Sequence, residues 1–160
     1  MSLSFSFQGS PARIVFGAGA IGKVGYWIEE IGCRRALVLS TPQQIGEARR
    51  LASTLGGLAA GIFDQATMHT PVEVTEDAVR VVRKSGADCV VSLGGGSTTG
   101  LGKAIAYRTD LRQIVVPTTY AGSEVTPILG QTDKGEKSTL RSERVLPEVV
   151  IYDPDLTLGL

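Results

Sequence analysis

Val90-Val91-Ser92-Leu93-Gly94-Gly95-Gly96-Ser97-Thr98-Thr99-Gly100-Leu101-Gly102-Lys103-Ala104 runs from an apolar strand, through three glycines, into a helix-forming stretch. In α/β proteins that junction is where phosphate is held. Glycines without Cβ let the backbone approach an anion, and the free N–H groups and positive dipole end of the following helix face it. Ser97 is placed to cap the helix and to offer its hydroxyl to a phosphate oxygen. The same residues also suit a plain glycine-rich strand-to-helix turn without a ligand.

Two better-known phosphate motifs are tested against the chain and fail. A Walker loop spaces glycine, four residues and Gly-Lys-Ser/Thr; counting back from Gly102-Lys103 puts Ser97 in the first glycine's place, and Ala104 replaces the magnesium-binding hydroxyl. Gly17-Ala18-Gly19-Ala20-Ile21-Gly22 is a literal G-x-G-x-x-G after the strand-like Arg13-Ile14-Val15-Phe16. A dinucleotide fold then wants a carboxylate about 20 residues on. The matching strand end reads Leu37-Val38-Leu39-Ser40-Thr41 and has none. These early glycines therefore read as a tight turn and close helix packing.

Short β-branched runs alternate with amphipathic stretches along the chain, the rhythm of βαβ units on a parallel sheet. Strands are expected at 14–17, 36–39, 59–63, 89–93 and 113–116, and helices at 21–31, 43–55, 73–85 and 98–108. The fold class is α/β: a Rossmann-like, doubly wound, mostly parallel sheet with helices on both faces. After Pro117 comes a hydroxyl-rich loop, Thr118 to Thr126, just past a strand's carboxyl end, where doubly wound sheets bind ligands. A hairpin over 128–138 turning at Asp133-Lys134-Gly135 and a last strand through Val149-Val150-Ile151-Tyr152 complete the pattern.

With 160 residues the chain is one domain by length and can bury about two-thirds of its unfolded surface. Sixteen Lys and Arg balance sixteen Asp and Glu, and no basic run exceeds a pair, which argues against nucleic acid and against an anionic membrane as partners. The amino terminus lacks a basic region followed by a long apolar core, so a cytoplasmic protein is expected. Cys33 and Cys89 suit reduced, buried thiols better than a disulfide, and His69 is the lone histidine, too few for a histidine-rich metal site.

Three blocks of sequence resemble the iron-containing alcohol dehydrogenase superfamily, and within it the maleylacetate reductase branch. They are Gly94 to Ala106, Val115-Val116-Pro117-Thr118-Thr119-Tyr120-Ala121-Gly122-Ser123-Glu124-Val125-Thr126, and Leu146-Pro147-Glu148-Val149-Val150-Ile151-Tyr152-Asp153-Pro154-Asp155-Leu156-Thr157. The resemblance covers essentially the whole chain. It implies a two-domain enzyme, with residues 1–160 as the NAD(P)-binding amino-terminal domain and a helical carboxyl-terminal substrate domain that this chain lacks. The turn of Gly94, Gly95, Gly96 and Ser97 would hold the cofactor pyrophosphate. Thr118, Thr119, Tyr120, Gly122 and Ser123 would lie by the nicotinamide and its ribose, Lys137 would contact the cofactor, and Ser40, Thr41 and Thr70 would border the adenosine.

Departures from the wider family sharpen that reading. Thr41 stands where NAD-specific relatives often carry aspartate, so without a carboxylate to repel a 2′-phosphate the cofactor is NADH or NADPH. Gly100 stands where the wider family often has aspartate, and the Pro-Thr-Thr loop is short and carries Tyr120; both fit the maleylacetate reductase branch. That branch implies reduction of a carbon–carbon double bond in maleylacetate to give 3-oxoadipate during bacterial breakdown of aromatic compounds, with catalytic side chains mainly in the absent domain and no metal. Implied partners are that domain, a small dicarboxylate and a second copy of the chain, paired through an early strand at 5–7. Two other readings stand beside it: the cofactor domain of a metal-dependent alcohol or glycerol dehydrogenase, and a non-redox phosphate or nucleotide-binding module.

Overall fold

The structure, a computed structural model, describes residues 12–160. The early strand expected at 5–7 lies outside the described residues. Among the described residues the central sheet has six strands: β1 (Arg13–Phe16), β2 (Ala36–Leu39), β3 (Ala59–Phe63), β4 (Cys89–Gly94), β5 (Arg112–Pro117) and β8 (Val149–Tyr152). Their order is β1-β8-β5-β4-β2-β3, and every neighbouring pair is parallel. Strands β2 and β4 are buried at every position, as expected when helices cover both faces of a sheet.

The helices sort by the direction in which the chain moves across the sheet. Helices α1 (Val24–Glu30) and α2 (Ile45–Leu55) pack Val24, Ile28, Leu51 and Leu55 against Ala36, Val38, Val91 and Ile114 on one face. Helices α3 (Val72–Ser85) and α4 (Gly96–Thr109) pack Ala78, Val82, Leu101 and Ile105 against Leu37, Leu39 and Val90 on the other. Side chains alternate along each strand, so consecutive residues feed opposite cores. Right-handed crossovers moving in opposite directions from β2 and from β4 must use opposite faces. The topological switch, and with it the ligand crevice of an open α/β sheet, therefore lies at the carboxyl ends of β2 and β4.

After β5 the chain forms the antiparallel hairpin β6 (Ile128–Asp133) and β7 (Glu136–Arg141), as the pattern of residues 128–138 predicts. Leu129, Val145 and Ala104 form a small core that holds it against α4. Among the described residues no helix is long and apolar enough to cross a membrane.

The G-x-G-x-x-G segment differs from expectation in one respect. Gly19 sits at φ 73 and needs glycine, but a Cβ on Gly17 or Gly22 would meet nothing within 4 Å, so close helix packing explains neither. What occupies this loop is a carboxylate: Gly19 and Ile21 each donate their backbone N–H to Asp153, at 3.1 Å.

Candidate functional site

The triglycine turn is shaped by its neighbours. Gly94 closes β4 at φ 154; a Cβ there would lie 2.5 Å from Thr98 Oγ1 and 2.7 Å from Gln44 Oε1. Gly95 precedes α4, and its Cβ would come within 3.1 Å of Thr119. Glycine at Gly94 is therefore a matter of space as well as backbone freedom, and at Gly95 of space alone. The helix cap is Gly95, with no side-chain capping bond, so Ser97 does not cap α4; it sits one residue inside the helix. The helix thus begins two residues earlier than a Ser97 cap would place it. The first N–H groups of α4 have no acceptor within the helix.

The hydroxyl loop lies beside this turn. Thr118 donates its N–H to the Gly94 carbonyl at 2.9 Å, and Gln44 Nε2 donates to Thr118 Oγ1 at 3.1 Å. The loops after β2, β4 and β5 are thus tied into one rim. Around the start of α4 are two joined hollows that share Met68 and Ser97. One, of about 620 Å³, opens over the ends of β2 and β3 and is lined by Thr41, Pro42, Gln43, Asp64 and Thr67. The other, of about 320 Å³, lies between α4 and the base of the hairpin, against Thr70, Gly96, Gly100, Lys103 and Ser123.

Not every predicted site residue joins them. Thr41, Thr70, Gly96, Ser97 and Ser123 line a hollow. Ser40 is fully buried, and its backbone bonds to Phe63 and Ala66 hold the crest between β2 and β3. Thr118 is buried in the rim, and Tyr120 turns toward the chain's last residues, its hydroxyl 2.9 Å from Thr157 Oγ1. Gly122, at φ 85, starts the short 3-10 turn over Ser123–Val125. Lys137 is exposed on β7 opposite Thr132, in separate shallow grooves on the hairpin, and lines neither hollow.

Thr70 and His69 both take positive φ, at 46 and 67, in the loop leading into α3. For a β-branched residue this is strained backbone. It is held by the Thr132 N–H bonding the Thr70 carbonyl and by the close approach of Gly100, whose Cβ would overlap Thr70 Oγ1. A side chain at position 100 would therefore have to displace the Thr70 hydroxyl.

The sequence reading did not assign several residues that build the site. Lys103 is 1 % exposed, and its ammonium donates to the carbonyls of Ser123, Thr126 and Ile128 and to Thr126 Oγ1, fastening the hydroxyl loop and hairpin to α4. Burial pushes Lys103 down to about 8, and the Glu124 carboxylate pulls the other way. Glu124 is itself buried and accepts the Tyr152 hydroxyl at 2.6 Å; burial, then that bond, pushes the phenol up. A lysine inside Leu101-Gly102-Lys103-Ala104-Ile105-Ala106 was the available signal, since a cation in so apolar a run must find acceptors.

At the opposite end of the sheet Cys33 and Cys89 are free, buried thiols. With an Asp88 oxygen their sulfurs lie within 4.8 Å of one another. Burial pushes both thiols up, and both Asp88 oxygens already accept N–H bonds from Arg34 and Arg35, so these donors do not suit a metal ion.

The sequence model of the iron-containing alcohol dehydrogenase family matches residues 11–154. Maleylacetate reductase of Rhizobium sp. strain MTP-10005 is 67% identical over 156 residues, 98% of this chain and 44% of that protein. The crystal structure of maleylacetate reductase from Agrobacterium tumefaciens superposes with a TM-score of 0.97 at 67% identity, covering 99% of this chain and 45% of that one. The sulfoacetaldehyde reductase of Bifidobacterium kashiwanohense, solved with NAD+, superposes with a TM-score of 0.87 at 27% identity, over 98% of this chain and 48% of its own. The chain thus spans a little under half the length of the relatives it matches.

Proposed function

We propose, for a chain that belongs to the iron-containing alcohol dehydrogenase family, that it is the cofactor-binding part of an NAD(P)H-dependent maleylacetate reductase, which reduces maleylacetate to 3-oxoadipate in bacterial aromatic catabolism. The observation that carries this reading is the turn at Gly94–Ser97. It has an uncapped helix start, two glycines whose Cβ positions are already crowded, and open space on its outer side. A diphosphate suits such a cradle because N–H groups and a helix dipole meet its charge while no side chain blocks the approach.

The dihydronicotinamide supplies a hydride to an activated double bond. The chain's own residues bind and orient. The amides of residues 96–98 hold the diphosphate, Thr41 and Thr67 border the adenosine side, and the rim fixed by Gln44 and Thr118 sets the position of the reducing ring. Lys103 keeps the hydroxyl loop closed against α4. Grip on the dicarboxylate and delivery of the proton fall to the second domain, so the chain alone binds cofactor without turnover.

The family's name implies iron, and the described residues do not fit it at this site. Their single cluster of three possible donors, Cys33, Asp88 and Cys89, is at the far end of the sheet, and position 100 offers no carboxylate. Titration of the folded chain with NADH, followed by cofactor fluorescence, tests the reading. Saturable binding supports it, and absence of binding at millimolar NADH overturns it.

A further inference from the structure

Thr41 leaves the end of β2 without the carboxylate that ordinarily meets the adenosine ribose, and on sequence alone both cofactors fit. The fold changes that conclusion. Strand β3 lies beside β2 with Leu39 opposite Phe63, so Asp64, just past β3, arrives at the same crest as Ser40 and, one residue on, Thr41. There Asp64 lines the larger hollow together with Thr41 and Gln43. Its carboxylate is half-buried and, among the described residues, makes no hydrogen bond or salt bridge. No lysine or arginine lines that hollow.

We propose that Asp64 does the work of the missing β2 carboxylate and makes the cleft select NADH over NADPH. The inference rests on the cofactor reading of the cleft given above. An unpartnered carboxylate at this crest accepts a hydrogen bond from a ribose hydroxyl, whereas a 2′-phosphate brings like charge into a hollow that holds no cation to offset it. Parallel neighbours are about 4.8 Å apart, so a carboxylate on β3 reaches the same ribose edge as one on β2.

The test is direct binding of NADH and NADPH, by fluorescence titration, to the folded chain and to Asp64→Asn, with circular dichroism confirming that both are folded. The parent chain should bind NADH at least about tenfold more tightly than NADPH, the discrimination expected of a single close like charge in a partly hydrated cleft. In Asp64→Asn the ratio should fall to within about threefold, mainly because NADPH binds more tightly. Equal binding of the two cofactors by the parent, or an unchanged ratio in the variant, overturns this inference and leaves the cofactor reading intact. Binding of neither by folded protein overturns both.

Discussion

Replacing Lys103 with methionine is the sharpest test of how the rim is held. Methionine keeps an unbranched apolar stem in the space the lysine fills and removes only the ammonium. The Thr126 carbonyl, 2.7 Å away, and the Ile128 carbonyl, 2.8 Å away, then lose the ammonium as donor, while the Ser123 carbonyl keeps the Thr126 hydroxyl and N–H. Each buried carbonyl left unpaired costs about 1–3 kcal/mol. Against this, the folded chain no longer confines a charge. Lys103 falls from 10.5 to about 8 on burial, a difference worth about 3 kcal/mol. Lost hydrogen bonds outweigh the relieved charge by a narrow margin, and Lys103→Met should destabilise by about 1–3 kcal/mol. Urea unfolding measures it, and amide exchange should quicken over residues 118–130 while β4 and β5 stay protected. The pH dependence has a definite sign. Between about 8 and 10.5 the unfolded chain carries more protons at this lysine than the folded one, so its contribution to stability rises with pH across that window; the cost of the charge is fully present below it. The parent minus Lys103→Met difference should grow with pH there. A loss under about 1 kcal/mol with unchanged exchange would refute the account.

Other substitutions test the remaining supports. Gly94→Ala forces a side chain into φ 154 and onto Thr98 and Gln44, and should cost about 2–4 kcal/mol and weaken NADH binding at least about tenfold, read by urea melts and titration. Gly100→Asp collides with Thr70 and should cost about 1–3 kcal/mol, measured the same way, while the reverse pair Thr70→Gly with Gly100→Asp recovers part of the loss. Asp153→Asn turns one acceptor of the Gly19, Ile21 and Asp155 N–H groups into a donor and should lower the unfolding free energy by about 1–3 kcal/mol. The Cys33 and Cys89 thiols, buried and pushed up, should react with Ellman's reagent far more slowly in the native chain than in denaturant.

The sequence pattern locates most of the fold because the relevant signals are local. Strands β2 and β3 fall where their short apolar runs put them, and α3 starts one residue early, directly after Pro71. The helices expected at 21 and 43 instead begin as 3-10 turns over Ala20–Lys23 and Pro42–Gln44. Turns of three and four residues hold too little periodicity to separate a 3-10 turn from an α turn. In the site, the triglycine turn and the threonine loop are legible because each is a strand end with its own distinctive residues. Asp64 and Glu124 are not, because what they do depends on which strand lies beside which, and no local pattern states that β3 borders β2 or that Tyr152 reaches Glu124; the apolar run around Lys103 says that it needs acceptors but not which ones.

The two glycine loops show the same point from the other side. Both follow the carboxyl end of a parallel strand and both present backbone N–H groups to an anion, so local physics cannot tell them apart. Sheet order can. Among the described residues strand β1 stands at the sheet's edge with β8 as its neighbour, and the residue just past β8 is Asp153, whose carboxylate takes the Gly19 and Ile21 N–H groups. That loop already has its anion, supplied by the chain. Strand β4 is interior, between β2 and β5, where crossovers leave in opposite directions and draw the flanking loops apart. No carboxylate of the described residues bonds to the turn at Gly94–Ser97, and the hollows beside it stay open. Of the two glycine loops, the one at the switch point is the one whose N–H groups no carboxylate of the described residues takes.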